Sequence, residues 1–452
     1  MMDLDEAARA VAGKVHGAPV HFSGVTTDSR AVNAGELFVA LSGERFDGHE
    51  YVAEAFQRGA SAALTSRLVS TPLPLPQVVA ADTRVALGRL AAHWRGKFAL
   101  PLLALTGSNG KTTVKEMLAA MLAAHCGSRE PVLATAGNLN NDIGMPLTLL
   151  RLRDGHRFAV IEMGMNHAGE IDYLTRIAEP SVALVNNAQR AHVGILGNVD
   201  AIARAKGEIY AGLAASGIAV VNEDDPFAAY WKNLNTGRRI VTFGFGAGAD
   251  VRATASGTQA RFVTPTDAFA VTLQVRGEHN LRNAMAACAA AYALEIPLAA
   301  MQAGLAGFAG VPGRLQRRSG PSGSVVIDDS YNANPESMQA ALQVLAGESG
   351  RKVFVMGDMG ELGAGTEAMH AEVGIFAKRS GVDVLLALGE ASASAVQAFG
   401  TGATHFADVE ALRAAAAREA GAGTTILVKG SRFMRMERIA DALAGEGGSH
   451  AV

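Results

Sequence analysis

Hydrophobic residues in the middle of the chain form short, mostly continuous runs, separated by longer stretches in which they recur every three or four positions. Continuous runs are typical of strands buried on both faces of a parallel sheet, and the periodic stretches between them predict covering helices. The runs that predict central strands are at 102–105, 158–161, 182–185, 218–221 and 240–243. The pattern therefore predicts an α/β protein.

The pattern changes twice along the chain, which predicts three domains at 1–98, 99–312 and 313–452. The Gly-, Ala- and Thr-rich segment 246–275 predicts small antiparallel strands beside the central sheet, and the proline-rich stretch 71–77 predicts a loop. Further strands are predicted at 36–41, 325–327, 353–356, 384–388 and 426–428, and helices at 51–58, 114–124, 281–294 and 335–345. We expect a small α/β domain, a central domain with a mainly parallel sheet, and a C-terminal Rossmann-like domain.

Composition narrows the class of protein. The 452 residues are 49% hydrophobic and 18% charged with a formal net charge of −3, so no basic excess favours nucleic acid or an anionic membrane. The longest apolar run, at 284–294, is too short to span a bilayer. Cys126 and Cys288 lie far apart, which favours neither a disulfide framework nor a zinc site. The N-terminus carries early acids and no apolar signal region, so we expect a cytoplasmic protein.

The string TGSNGKTT at 106–113 follows an apolar run and precedes a predicted helix, the context that a phosphate-binding loop requires. Its amides and the helix N-terminus favour an anion, its lysine can reach phosphates, and its hydroxyls can bind Mg²⁺. An ordinary glycine turn before a helix is the alternative. Leu105 stands where the common pattern has its first glycine. The loop predicts a P-loop ATPase-like central domain, with ATP contacts at Gly107, Ser108, Asn109, Gly110, Lys111, Thr112 and Thr113.

This loop resembles the ATP loop of the Mur ligases and the folylpolyglutamate synthases. Other strings are similar to Mur ligase motifs, including Gly-Asp-Met-Gly-Glu-Leu-Gly at 357–363 and Lys-Gly-Ser-Arg at 429–432, and together they extend the resemblance from Thr27 to Glu437. The string Asp-Asp-Ser-Tyr-Asn-Ala-Asn-Pro at 328–335 resembles the signature of the family members that add D-alanyl-D-alanine. The others are Thr-Asp-Ser-Arg at 27–30, the asparagine-rich loop 135–146 and Gly-Glu-His-Asn at 277–280.

Three residues of the central domain are candidates for a metal site. Glu162 ends a predicted strand, where a carboxylate can hold a hard cation, although a capping or salt-bridging role is equally open. His192 alone would more often be structural, and Lys206 on a helix would more often be a solvated charge. The resemblance implies that Glu162, His192 and Thr112 help hold two Mg²⁺ ions, with Lys206 carbamoylated as a further ligand. The residues after His192 are Val-Gly-Ile, without the acid that family members usually carry there.

Three residues near the junction with the third domain are candidates for holding the nucleotide. The Asn280 side chain suits an adenine edge, or caps the helix that follows. A guanidinium such as that of Arg314 can clamp a phosphate with two N–H groups. The resemblance implies that Arg314 reaches the nucleotide as domains close and that Asp329 faces the ribose.

Two groups of polar residues are candidates for the substrates. Ser29 and Arg30 could bind a uracil and a diphosphate or form a capped turn. Amide side chains in the loop 135–146 can bond sugar hydroxyls and peptide carbonyls, and Asn334 before Pro335 could instead cap a helix. The substrate contacts that the resemblance implies are Ser29, Arg30, Thr135, Asn138, Asn140 and Asn141 for the UDP-linked substrate, with Asn332, Asn334, Lys429, Ser431 and Arg432 on the side of the third domain.

The resemblance implies an ATP-dependent ligase, acting as a monomer, that joins D-alanyl-D-alanine to UDP-N-acetylmuramoyl tripeptide through an acyl phosphate. Lys111, Lys206, His192 and Arg314 would be its catalytic residues. One alternative is a folylpolyglutamate synthase, which shares the phosphate loop but lacks a Thr-Asp-Ser-Arg first domain. The other is a P-loop switch or motor protein, but the Asn-Lys-x-Asp string that reads guanine is absent from the sequence.

Overall fold

The computed structural model describes residues 1–44, 46–70 and 75–444. Residues 71–74 of the predicted proline-rich loop and residues 445–452 of the predicted third domain lie outside the described residues. The elements of the first unit are β1 Met2–Asp3, α1 Leu4–Val11, β2 Lys14–His16, β3 His21–Phe22, β4 Val25–Thr26, β5 Leu37–Val39, β6 Ser42–Gly43, β7 Phe46–Asp47, α2 Val52–Gln57, β8 Ala62–Thr65, β9 Gln77–Val79 and α3 Thr83–Arg95.

A five-stranded sheet organises the first unit, with the strand order β2-β9-β8-β5-β4. Neighbours are parallel except β2 and β9. Helix α3 begins at the N-cap Asp82, whose carboxylate accepts two backbone N–H groups, and it packs against α5 and α6 of the central unit. The first unit is therefore joined to the central unit through a helical contact.

The central unit carries the phosphate loop. Its strands are β10 Leu102–Thr106, β11 Val132–Ala134, β12 Phe158–Glu162, β13 Val182–Val185, β14 Ile218–Asn222, β15 Arg239–Phe243, β16 Arg252–Ser256, β17 Gln259–Val263 and β18 Ala268–Thr272. Its helices are α4 Lys111–Cys126, α5 Gly144–Leu149, α6 Glu170–Ala178, α7 Val193–Leu196, α8 Val199–Gly207, α9 Ala228–Leu234, α10 Glu278–Ala293 and α11 Leu298–Gly307.

The main central sheet is parallel throughout, in the order β11-β12-β10-β13-β14-β15. Successive residues of β10 point to opposite faces: Leu102 and Ala104 belong to one hydrophobic core, and Leu103 and Leu105 belong to the other. Helices cover both faces, which explains why these strands are continuously apolar. The antiparallel sheet β16-β17-β18 packs on α10 and α11.

The third unit alternates strands and helices around another six-stranded sheet, in the order β19-β20-β24-β21-β22-β23. Only β19 runs antiparallel to its neighbour. The elements are β19 Gln316–Ser319, β20 Val325–Asp329, α12 Pro335–Ala346, β21 Arg351–Gly357, α13 Thr366–Arg379, β22 Val384–Leu388, α14 Ala393–Phe399, β23 Ala403–Phe406, α15 Val409–Glu419, β24 Thr424–Lys429 and α16 Glu437–Ala444.

The predicted fold class is confirmed, and the predicted limits of β13 and β22 coincide with the observed ones. The edge strands β11, β19 and β23 were not predicted. Other differences lie at element ends: helix α10 begins at Glu278 rather than Leu281, because the backbone is already helical beyond the N-cap Gly277. The domain limits at 98/99 and 312/313 stay predictions, although each main sheet falls within one predicted domain. No described helix has the length and apolar character needed to cross a membrane.

Candidate active site

The carboxyl ends of three adjacent central strands open into a cleft of about 710 Å³. The strands are β12, β10 and β13, and the loops that follow them carry Glu162, the phosphate loop and His192. In an open α/β sheet, this edge is where ligands bind. Residues of all three units line the cleft, including Arg84 of the first and Arg314 of the third.

The phosphate loop makes a tight turn before α4. Gly110 has φ +80°, and a Cβ there would lie 2.2 Å from Oδ1 of Asn283, so a side chain is excluded by both conformation and space. Lys111 Nζ donates to Gly107 O at 2.8 Å. Burial lowers the pKa of Lys111 and the Arg314 charge lowers it further, whereas the Glu162 carboxylate opposes the shift. The ammonium group thus faces the cleft from beneath the loop.

Glu162 lies directly beside the first turn of α4. Its Oε2 accepts a hydrogen bond from Thr112 Oγ1 at 2.9 Å, and its Oε1 accepts one from Asn140 Nδ2 at 2.8 Å. Thr135 Oγ1 accepts the Glu162 N–H at 2.9 Å. A buried carboxylate and a hydroxyl are thereby brought together at the base of the loop.

This donor set fits Mg²⁺. A carboxylate and a hydroxyl are hard oxygen ligands, and nucleotide-bound Mg²⁺ takes its remaining ligands from phosphates and water. In the described part of the chain, no three His, Cys, Asp or Glu side chains converge as a site built by protein alone. The residues present therefore fit a cation shared with a phosphate group.

Lys206 lies on α8, with its side chain almost wholly buried and its residue lining the cleft. Burial lowers the pKa of Lys206 well below its ordinary value, and the Lys111 charge lowers it further. Among the described residues, no acid opposes this shift of the Lys206 pKa. A buried amine without a counter-ion favours the neutral form, which is the nucleophilic one.

His192 is paired with an acid of the third unit. Its Nδ1 lies 2.5 Å from Glu361 Oε2, and the histidine holds the pKa of that carboxyl below its ordinary value. Both residues have positive φ, 64° for His192 and 63° for Glu361. The sequence after His192 lacks an acid, and the tertiary structure supplies one from a residue far along the chain.

Asparagine side chains form a chain of hydrogen bonds under the phosphate loop. Asn186 Nδ2 donates to Asn109 O at 2.9 Å and to Asn283 Oδ1 at 3.1 Å. Asn283 Nδ2 in turn points to Asn280 Oδ1 at 3.5 Å, and Asn280 Nδ2 donates to Arg276 O. The predicted adenine contact Asn280 is therefore linked to the loop through Asn283.

Arg314 crosses from the third unit to the phosphate loop. Its Nη2 donates to Thr112 Oγ1 at 2.9 Å, and its guanidinium carbon lies 4.2 Å from the centre of the Tyr331 ring. Asp329 pairs with Lys429 at 2.5 Å, but burial still raises the pKa of Asp329 above its ordinary value. Lys429 Nζ also donates to Asn332 O at 2.9 Å.

The cleft brings together most residues that the sequence predicted for it. Those on its wall are Ser108, Asn109, Gly110, Lys111, Thr113, Asn138, Asn140, Asn141, Glu162, His192, Lys206, Asn280, Arg314, Asp329, Asn332, Asn334 and Lys429. Gly107 and Thr112 lie in the same loop, where the Gly107 carbonyl and the Thr112 hydroxyl are already bonded within the site.

Five predicted substrate contacts lie elsewhere. Thr135 is buried behind Glu162, and Ser431 is buried where it bonds Gly360 N and Ala333 O. Arg432 is 64% exposed and pairs with Glu437.

The other two lie in the first unit. Ser29 is buried at the start of a short 3₁₀ turn, and Arg30 is 81% exposed and bonded to Asp28, which caps that turn. This geometry matches the capped-turn alternative, and a substrate contact for these two residues stays a prediction.

Sequence reasoning missed several residues in and around the site. It placed the loop that carries Glu361 at the cleft but did not predict the contact with His192, and Arg190 acts across units without a local pattern to mark it. Lys115 is fully buried one turn into α4, where its ammonium bonds Thr135 O and Glu116. Its position four residues after Lys111, on the same face of α4, is a signal that could have found it.

Comparisons with known proteins agree with this geometry. Family models match residues 21–95 ("Mur ligase family, catalytic domain"), 105–291 ("Mur ligase middle domain") and 313–432 ("Mur ligase, glutamate ligase domain"). The UDP-N-acetylmuramoyl-tripeptide–D-alanyl-D-alanine ligase of Escherichia coli K12 is 44% identical over 443 residues, which cover 96% of each chain. The chain belongs to the Mur ligase family.

Solved Mur ligase structures share the whole architecture. A crystal structure of MurF from Acinetobacter baumannii superposes with a TM-score of 0.87 at 39% identity, covering 96% of this chain and 97% of the other. A crystal structure of MurF ligase from Thermotoga maritima in complex with ADP gives a TM-score of 0.81 at 29% identity, with 93% and 97% covered. The predicted resemblance to Mur ligases is confirmed.

Proposed function

We propose that this protein is an ATP-dependent ligase that joins D-alanyl-D-alanine to the terminal carboxylate of UDP-N-acetylmuramoyl tripeptide. The observation that carries the proposal is a single cleft, lined by all three units, in which Lys111, Glu162 and Arg314 surround a phosphate loop. Relatives named for this reaction match nearly the full length of the chain. The products would be the pentapeptide, ADP and phosphate.

The reaction needs a bond from the peptide carboxylate to the γ-phosphorus of ATP. Attack by a carboxylate oxygen forms an acyl phosphate, and the bond to ADP breaks. Lys111 and the loop amides are placed to offset the charge that develops on the phosphoryl oxygens. Bound Mg²⁺ would supply further charge neutralisation, with Thr112 and Glu162 as its protein ligands.

The amine of D-alanyl-D-alanine then attacks the acyl carbon. A tetrahedral intermediate forms and collapses, phosphate leaves, and the amine loses a proton. Arg314 and the loop 329–334 lie on the third-unit side of the cleft, so they can close over the nucleotide and exclude water from the acyl phosphate. Exclusion of water favours ligation over hydrolysis.

Lys206 is proposed to carry a carbamate. Its neutral amine can add to CO₂ with loss of a proton, which converts a buried amine into an anion with two oxygen donors beside Lys111. His192 is proposed to serve the same metal region from its other ring nitrogen, while Nδ1 faces Glu361. One chain supplies cleft-lining residues from all three units, which supports the proposal that the protein acts as a monomer.

Phosphate release is the test of the proposed reaction. Purified protein with Mg·ATP should release phosphate only when UDP-N-acetylmuramoyl tripeptide and D-alanyl-D-alanine are both present, and mass spectrometry should find the pentapeptide. Stimulation by glutamate with a folate would instead support a folylpolyglutamate synthase. Hydrolysis that no small molecule stimulates would contradict any ligase.

A further inference from the structure

The segment 186–192, which follows β13, is fastened to the phosphate loop. Asn187 Oδ1 accepts the Asn109 N–H at 2.9 Å. Ser108 Oγ donates to Gln189 O at 3.0 Å and accepts the Gln189 N–H at 2.8 Å. Asn187 and Gln189 are thus bonded to the phosphate loop, and Ala188 lies between them.

Arg190 extends from this segment into the third unit. Its Nη1 and Nη2 bond both oxygens of Glu372 at 2.8 and 3.0 Å, and its Nε bonds Glu336 Oε1 at 2.5 Å. Gln339 Nε2 holds Glu372 Oε1 at 2.8 Å. The Arg190 side chain is only 27% exposed. Such a forked, partly buried pair fixes direction as well as distance, unlike a flexible surface pair.

The start of α12, which carries Glu336, also contacts the phosphate loop directly. Asn334, the N-cap of α12, donates to Asn109 Oδ1 at 2.8 Å and accepts from Asn109 Nδ2 at 3.2 Å. Glu336 lies two residues further along the chain. Upstream, the carbonyls of Asn332 and Ala333 accept from Lys429 and Ser431. The residues at the start of α12 therefore bond both the phosphate loop and the loop at 429–431.

We infer that Arg190 is a positioning residue that fixes the N-terminus of α12 over the phosphate loop through Glu336 and Glu372. Its role is to set the position of the third-unit side of the cleft relative to the phosphate loop, where the phosphoryl group of ATP would bind. Arg190 touches neither Lys111 nor Glu162 within hydrogen-bond distance in the described contacts. The kinetic part of this inference rests on the proposed function, whereas the structural part does not.

Kinetics test the positioning role with Arg190→Gln, Glu372→Gln and the double variant. Loss of the fork should raise KM for D-alanyl-D-alanine about tenfold and leave KM for UDP-N-acetylmuramoyl tripeptide within about twofold. The double variant should be no worse than the poorer single variant, because both remove one interaction. Arg176→Gln is the matched control, since Arg176 is 63% exposed and pairs with Asp172 on its own helix. Its KM values should match the wild type.

Small-angle X-ray scattering separates this inference from the reaction. With Mg²⁺ and a non-hydrolysable ATP analogue, Arg190→Gln and Glu372→Gln should show a larger radius of gyration than the wild type, and Arg176→Gln should not. If no ligation is found for the wild type, the proposed function fails. The scattering still tests whether the Arg190 contacts position the third unit. Arg190→Lys keeps the charge but loses the two parallel hydrogen bonds to Glu372. Its radius of gyration should lie between those of the wild type and Arg190→Gln.

Equal KM values and superimposable scattering curves for the wild type and Arg190→Gln would overturn the inference, as would additive effects of the two single substitutions. Should Arg190→Gln fail to fold by circular dichroism, Glu372→Gln provides the same two readouts. A KM for the UDP-linked substrate that rises as much as that for the dipeptide would also count against it.

Discussion

Buried charge dominates the cleft at the scale of single residues. Burial lowers the pKa of both Lys111 and Lys206, and the Lys111 charge lowers the pKa of Lys206 further. A bound triphosphate would reverse this effect for Lys111, because an opposite charge favours the charged form. With a triphosphate bound, Lys111 would be charged beside a neutral Lys206, which supports the proposal that Lys206 reacts with CO₂.

Replacing Lys111 by alanine should remove transition-state stabilisation and leave the fold intact. We expect turnover to fall by about 10²-fold or more, because a charge aimed at the phosphoryl group is lost. Ligation is measured by coupled phosphate release, and the melting temperature reports the fold. Lys232→Ala removes a surface lysine paired with Glu223 and should keep normal turnover. Near-normal ligation by Lys111→Ala would refute the nucleotide assignment.

Replacing Lys206 by alanine should abolish activity that a small carboxylate partly restores. The carboxylate would occupy the space of the lost side chain and supply the missing anion. Carbon-13 NMR of wild-type protein in labelled bicarbonate should show a carbamate signal that the variant lacks. An active Lys206→Ala enzyme, or a wild type without that signal, would reject the carbamate.

At the scale of elements, the start of α12 combines stability with function. Asn334 and Ser337 form a reciprocal capping box, and Asn334 also bonds Asn109 of the phosphate loop. The first role is local and recurs at other helices, whereas the second depends on the packing of two units. Substitution can separate the two roles.

Asn334→Ala should lower the free energy of unfolding by about 0.5–2 kcal/mol, the usual effect of losing an N-cap, and should also impair ligation. Asp408→Ala provides the comparison, because Asp408 caps α15 by accepting Ala411 N–H at 2.8 Å without lining the cleft. Its stability loss should be similar and its kcat/KM unchanged. Urea denaturation and steady-state kinetics measure both, and equal kcat/KM values for the two variants would remove the second role.

The first turn of α10 contains a pH-sensitive group. Burial lowers the pKa of His279 to about 4, and the Lys429 and Arg282 charges add to the effect. A depressed pKa makes the folded state lose stability as pH falls, here between the ordinary histidine value near 6.5 and about 4. When the pH falls from 7 to 4.5, the free energy of unfolding should therefore decrease in both proteins, and the decrease should be about 1–3 kcal/mol smaller for His279→Gln than for the wild type. Parallel pH curves for the two would contradict this, and the exposed His16→Gln should follow the wild type.

At the scale of the whole molecule, the cleft exists only because the three units meet. The central sheet brings the loops to one edge, and the third unit reaches that edge with Arg314, Glu361 and the start of α12. Because the cleft opens where the units meet, relative motion of the units is the natural way to admit and release substrates.

Arg314→Gln should weaken this closure at the nucleotide. It loses a charged hydrogen bond to Thr112 and the cation–π contact with Tyr331, so we expect kcat/KM for ATP to fall about 10–100-fold. Arg418→Gln changes an exposed arginine of the same unit and should have no effect. Steady-state kinetics at varied ATP decide between them, and an unchanged kcat/KM in Arg314→Gln would contradict the role.

Local patterns in the sequence determined much of this protein. Continuous apolar runs predicted most strands of the two six-stranded sheets, because such strands are buried on both faces, whereas the less apolar edge strands β11, β19 and β23 were not predicted. The Gly-Lys-Thr-Thr turn between strand and helix predicted the phosphate loop, and Asn334-Pro335 predicted the start of α12. Each of these signals lies within a few residues of the feature that it predicts.

Only the tertiary structure decided which distant residues meet. The acid beside His192 comes from Glu361, and the partners of Arg190 are 146 and 182 residues away. Whether Lys206 is buried or solvated also depends on packing between helix and sheet, and its pKa follows from that burial. Spacing along the chain carries no information about such pairs, because charge pairing and desolvation depend on distance in space.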